Sequence, residues 1–311
     1  MISRRNIRVK VMQTLYTVIT LNENPSEKNL PDPQQILARH FDQTRALFVY
    51  LIYFLTELAR YAETDAHQRA SKHLPSAEDL HVNTRIAGNL VLWKMLEDGL
   101  LKDQLAKDKP QLHLDRELLR KLFHNAAEQP YYRAYTEQTT REKHEERRIM
   151  EFLANDVMLA DEGFLSHVED LFSNWQDDGE MLAQLLAGYL QKPGSYNFSQ
   201  LLSPDKSEFA RSLLRTVLEK DEQLQSLIIP KLKNWDPERI ALLDMIMMKM
   251  GVAEFLYFET IPPKVTINEY IDLAKEYSTA QSGQFVNGIL DNIHKDLVQQ
   301  GKMQKVDYKK V

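Results

Sequence analysis

Pro263-Lys264-Val265-Thr266-Ile267-Asn268-Glu269-Tyr270-Ile271-Asp272-Leu273-Ala274-Lys275-Glu276-Tyr277, followed shortly by Gln284-Phe285-Val286-Asn287-Gly288-Ile289-Leu290-Asp291, is the stretch on which the fold turns. The first run has helical chemistry. Ile267, Ile271 and Ala274 share a face with Tyr270 and Leu273, the period of a stripe turned to a core. Thr266, with Glu269 three residues on, has the spacing of a capping box and places a helix start there. The second run sets Phe285, Ile289 and Ile293 four apart. Gly288 interrupts it at a cost of about 1 kcal/mol against alanine, so something such as close backbone approach is expected to offset it there.

The last block is cleanly punctuated. Ser203-Pro204 and Asp236-Pro237-Glu238 read as N-caps with proline at the first helical position. The helix after Asp236 is apolar nearly all round, from Ile240 to Met250, and is expected to be the most buried. A tail from about Lys302, carrying Lys305, Lys309 and Lys310, is expected to fray.

Toward the N-terminus, residues 2–21 read as an amphipathic helix with Val11, Leu15, Val18 and Ile19 on one face and Arg4, Arg5, Arg8 and Lys10 in its first turns. A proline-rich loop, Asn22 to Pro33, leads to a long helix over 34–70 whose middle is apolar. Further helices are expected near 79–106, 114–127, 130–159, 161–175 and 178–191, before the linker Gln191-Lys192-Pro193-Gly194-Ser195. The run Arg141–Arg148 mixes signs at i,i+4 spacing, the pattern of a solvated helix face, and Tyr131, Tyr132 and Tyr135 read as packing against a neighbouring helix.

Composition narrows the function classes. The 311 residues carry no cysteine, which excludes disulfides, thiolate metal sites and cysteine nucleophiles and fits a reducing, cytoplasmic setting. A formal charge of −6 means that any nucleic-acid surface is local. Ser3-Arg4-Arg5 superficially resembles a twin-arginine export signal, but the segment after it is too polar for one. The apolar run Ala46–Leu55 is too short to span a bilayer, so no membrane partner is expected. No phosphate-binding glycine loop, dinucleotide fingerprint, zinc helix or nucleophile elbow occurs, and the histidines are scattered. Catalysis, a metal and a cofactor are therefore not expected.

The C-terminal runs resemble the signature of the NusB family, V-x-I-N-E-x-I-x-L-A-K, a short loop, then F-V-N-G-[IV]-L-D. The matching residues are Val265, Ile267, Asn268, Glu269, Ile271, Leu273, Ala274 and Lys275, then Phe285, Val286, Asn287, Gly288, Leu290 and Asp291. The family's opening pattern, R-R-x-x-R-x-x-x-x-Q-x-L-Y, is met at Arg4, Arg5, Arg8, Gln13, Leu15 and Tyr16. Two positions depart from it: Val9 replaces a common acid, and Ser282-Gly283-Gln284 stands where a basic residue is usual. The second departure removes possible phosphate contacts.

The resemblance implies an all-α, NusB-like helical bundle with a large helical insertion in its N-terminal half. Its divisions would be a basic helix at 1–22, an insertion at 23–203, a C-terminal helical domain at 204–298 and a basic tail at 299–311. It also implies a non-catalytic antitermination factor that binds boxA-like single-stranded RNA, a small-subunit ribosomal protein (NusE) and the transcription elongation complex. Arg4, Arg5, Arg8 and Lys10 would contact phosphates; Tyr16, Phe285 and Asn287 would contact bases. Partner docking would involve the Arg211–Arg215 helix and the segment around Glu238–Lys249. From spacing alone Tyr16 and Phe285 fit core positions as well, and Asn287 fits helix packing. A NusB-like protein–protein scaffold without RNA binding is the alternative.

Overall fold

The structure, a computed structural model, describes residues 1–22, 31–232 and 239–306, and every regular element among them is helical. In chain order these begin with α1 (Arg4–Asn22), α2 (Pro33–Ala70), α3 (Ala77–Leu80), α4 (Leu90–Glu97) and α5 (Gly99–Asp108). Next come α6 (Arg116–Glu128), α7 (Pro130–Glu137), α8 (Lys143–Phe152), α9 (Glu162–Leu171) and α10 (Trp175–Gln191). The last are α11 (Pro204–Glu219), α12 (Asp221–Ile228), α13 (Leu242–Tyr257), α14 (Pro263–Tyr277) and α15 (Ser282–Gln299). The cap expected at Asp236-Pro237-Glu238 lies outside the described residues, as do Lys309 and Lys310.

Two compact units emerge, one of Ile2–Phe41 with Leu202–Val311 and the other of Met1 with Asp42–Leu201. In the first, α13 is the central rod. It packs against α1, α11, α12, α14 and α15, and Ile246 to Phe255 are buried without a break. A helix apolar on every side has no solvent face to offer, so neighbours must surround it. Gly251 makes a close crossing possible. A Cβ there would lie 2.9 Å from Leu290 Cδ2 and 3.4 Å from the Tyr270 ring.

Several local expectations give way. α14 starts at Pro263, three residues before Thr266, because Pro262-Pro263 pre-set the helical φ and lack the N–H groups a helix start leaves orphaned. Thr266 therefore lies inside the helix, and no capping box forms. Gly288 meets nothing within 4 Å of where its Cβ would be, so the expected close approach is absent there. The tail is tied down as far as Val306: Lys305 Nζ donates to the carbonyls of Glu254 and Phe258, both at 2.7 Å, at the C-terminus of α13.

In the second unit, α2 presents aromatic side chains to successive helices. Phe54 meets Phe164 of α9 (centroids 4.7 Å apart), Phe48 meets Tyr189 of α10, and Tyr61 meets Phe123 of α6. The single helix expected over 79–106 is broken, because Asn89 and Asp98 cap new helices: Asn89 Oδ1 accepts from Val91 N and Leu92 N, and Asp98 Oδ1 accepts from Leu100 N. The helix expected over 130–159 is interrupted between α7 and α8, and its end, Leu153–Met158, widens into a π-helix.

The charge run at 141–148 is only partly a solvated face. Glu146 is 0% exposed. It accepts from Leu90 N (2.8 Å), the Tyr135 hydroxyl (2.9 Å) and Arg141 (2.9 Å), with Arg85 at 3.6 Å. Such convergence holds α4, α7 and α8 together. Tyr132 and Tyr135 are buried, and Tyr131 packs edge-on against Phe152.

Candidate nucleic-acid interface

The basic residues of α1 go to different places. Residues Asn6 to Met12 are all buried, so the first half of the helix is enclosed and not amphipathic. Arg8 is 1% exposed and Glu254, on the central helix, is 0% exposed. Arg8 Nε donates to Glu254 Oε1 at 2.7 Å and Nη2 to Oε2 at 3.0 Å. Glu254 also accepts from Thr266 Oγ1 and from the Tyr270 hydroxyl, each at 2.8 Å, and Glu269 approaches Arg8 at 3.3 Å.

Burial alone would lower the Arg8 pKa, but the facing Glu254 outweighs it and holds the guanidinium charged. Burial first, and then Glu254, keep the Tyr270 phenol neutral far above its usual range. The result is a buried ion pair whose carboxylate accepts four hydrogen bonds, the arrangement in which a charge is tolerated in a core. Lys10, 2% exposed, also lies inside.

Arg4, Arg5 and Tyr16 remain at the surface. Arg4 is exposed and its guanidinium lies 5.6 Å from the Phe209 ring centroid, a ring that Arg8 also approaches at 5.6 Å. Arg5 donates to Glu276 Oε2 at 2.7 Å, with Asp272 at 3.9 Å; all three side chains are partly solvated, where such pairs are weak and exchangeable. Tyr16 is 43% exposed. By helix geometry it sits on nearly the same stripe as Arg5, three turns or about 16 Å further along.

Asn287 is exposed and Phe285 half-buried, both on the first turns of α15. Gly283 packs over Lys275 of α14, whose Nζ is 3.8 Å from Asp272, the residue 3.9 Å from Arg5, so α14 carries contacts to both α1 and the start of α15. At the start of α15, Ser282 Oγ donates to the buried Asp244 at 2.8 Å and fixes this turn to α13.

A groove of about 680 Å³ runs between the second half of α1, the α11–α12 corner and the start of α13. Its floor is apolar, with Leu15, Val18, Val217, Ile240 and Met245, and a Lys249–Asp221 ion pair stands at its margin. Part of the segment that the resemblance assigned to partner docking lines it, though Glu238 is outside the described residues.

Sequence patterns alone give no place to Glu254, Tyr270 or Phe209 as holders of Arg8, nor to Asp272 and Glu276 opposite Arg5. One signal is available. Glu254 stands between Val252-Ala253 and Phe255-Leu256 in α13, a carboxylate with apolar residues on both sides, and such a charge needs a buried partner.

Fold and site together define an all-α protein in which a basic opening helix is clamped into the closing helices. The family model described as "NusB family" matches residues 167–295, beginning in α9 and taking in α10. The transcription antitermination protein NusB of Salinibacter ruber is 37% identical over 138 residues, 44% of this chain and 82% of that protein. The protein of the same name from Methylacidiphilum infernorum is 43% identical over 101 residues, 32% of this chain and 70% of its own length. That of Chloroherpeton thalassium is 37% identical over 98 residues, 46% of its length. The chain belongs to the NusB family.

No helix among the described residues is long and apolar enough to cross a membrane.

Proposed function

We propose that this chain is a non-catalytic transcription antitermination factor that grips single-stranded RNA with its first helix and docks a small-subunit ribosomal protein in the apolar groove. The name its relatives share supports the first part of this reading. The observation that carries the RNA part is the buried Arg8–Glu254 pair. It fixes the register of α1 and leaves Arg4, Arg5 and Tyr16 displayed on a rigid element. Two guanidinium groups and an aromatic face on one helix suit a phosphate backbone and an unstacked base. Arg8 and Lys10, being buried, serve by holding the helix, while Phe285 and Asn287 extend the surface along α15. The intervening helical stretch is an insertion into this fold.

Fluorescence anisotropy with boxA-like RNA across a salt series tests it. Binding should weaken steeply with salt, and Arg4→Ala with Arg5→Ala should reduce the slope of log K against log salt by about one for each phosphate no longer neutralised. RNA that fails to bind even with the ribosomal protein present refutes the RNA reading.

One observation favours the scaffold alternative: Asp272 and Glu276 already face Arg5. On that reading the groove binds its protein partner while RNA is ignored.

A further inference from the structure

A second cleft, of about 490 Å³, lies in the Asp42–Leu201 unit between α2 and α6. Tyr53, Glu57, Tyr61 and Gln68 recur at helical spacing along one face of α2, and Arg116 and Arg120 face them from α6 one turn apart. The Arg116 guanidinium is within electrostatic reach of the Tyr53 hydroxyl, and that of Arg120 within reach of Tyr61.

Among the described residues neither guanidinium has an ion-pair or hydrogen-bond partner, whereas Glu57 already accepts from Arg60 at 3.0 Å. Like charges four residues apart weaken a helix. Glu63 and Glu117 also line the cleft, so its total charge is balanced; what suits an anion is the pair of arginine forks that no carboxylate among the described residues holds. The cleft has the size range of small-ligand sites. Its wall chemistry is specific too: a half-buried tyrosine ring for stacking, a carboxylate to accept from hydroxyls, and amides at Gln68 and Gln111 to meet a base edge.

We propose that this cleft binds a nucleotide: Arg116 and Arg120 hold the phosphate, Tyr53 stacks on the base, and Glu57 accepts from the ribose hydroxyls. The nucleotide is either free or one residue of a single-stranded RNA, and the site is independent of the α1 surface. A forked guanidinium matches phosphate oxygens in both cases.

Calorimetric titration of the full chain with 5′-AMP and with adenosine tests it, alongside an oligoadenylate of about ten nucleotides titrated into the R4A/R5A variant so that the α1 surface contributes less. The nucleotide should bind one to one, and adenosine about tenfold or more weaker for want of the phosphate. Arg116→Ala with Arg120→Ala, both exposed and checked by circular dichroism, should abolish binding, while Lys94→Ala, an exposed cation outside the cleft, should leave it unchanged. If only the oligomer binds and the double variant loses it, the source is RNA and the proposal stands. No binding of either ligand, equal affinity for adenosine, or binding that survives the double variant overturns it.

Discussion

Arg8 and Glu254, 246 residues apart in the chain, form a buried two-pronged ion pair at 2.7 and 3.0 Å. Thr266 and Tyr270 supply the remaining donors to the carboxylate, so three separate helices meet on one side chain. Removing one partner of such a pair strands the other charge in the core, which costs about 3–5 kcal/mol. Arg8→Ala and Glu254→Ala should each lower unfolding stability in urea by that amount. The apolar double substitution Arg8→Met with Glu254→Leu should lose less than either single change, because no unpaired charge is left. Additive losses would refute the pairing.

Two glycines make opposite predictions. At Gly251 an added methyl meets Leu290 at 2.9 and 3.0 Å, so Gly251→Ala should destabilise by about 1–3 kcal/mol through overpacking. At Gly288 the space is open and the backbone helical, so Gly288→Ala should stabilise by up to about 1 kcal/mol. Thermal melts of the two variants check this. A loss of RNA affinity in the more stable Gly288→Ala protein would place a ligand against that face of α15.

The groove lets the two proposed partners be separated. Val18 is half-buried in its apolar floor, on the part of α1 furthest from Arg4 and Arg5. Val18→Glu should weaken capture of the ribosomal protein about tenfold or more, since a carboxylate loses its hydration there without gaining a partner. RNA binding measured without that protein should stay the same. Equal losses in both assays would argue that the helix itself has been disturbed.

Alkaline pH should unfold the protein in a defined window. Burial pushes the Tyr135 phenol up to about 12, with the Asn89 hydrogen bond opposing and Glu146 adding to the shift. Burial likewise raises Tyr50, Tyr132, Tyr189 and Tyr270. An unfolded tyrosine ionises near pH 10, so above that pH the unfolded chain loses protons that the native chain keeps. Stability should hold to about pH 10 and fall steadily from there toward 12. Tyrosinate absorbance rising together with loss of helicity supports this; gradual ionisation of a still-folded chain opposes it.

Much of the architecture is legible because helix signals are local. α2, at Pro33–Ala70, follows from apolar period and proline punctuation in the chain itself, and the surrounded α13 from its apolar run, although it starts at Leu242, beyond the cap expected at Asp236-Pro237-Glu238. The breaks at Asn89 and Asp98 escape such a reading although both are good capping residues, since Leu90–Met95 and Leu100–Leu105 carry one helical pattern across them. The start of α14 is misplaced because Thr266 and Glu269 have capping-box spacing, yet both side chains are taken up by the Arg8–Glu254 cluster. No pattern along the chain announces a partner 246 residues away.

By itself the sequence settled what depends on neighbours within a few turns: an all-helical chain, its membership signature at both ends, and the crowd of cations on α1. Which of those cations meet water depends on long-range packing. Arg8 and Lys10 are inside while Arg4 and Arg5 are out, although all four are within ten residues of the N-terminus. The physical reason is that burying a charge depends on finding an opposite charge and enough donors in a dry place. For Arg8 that place is assembled from α13 and α14, helices at the other end of the chain.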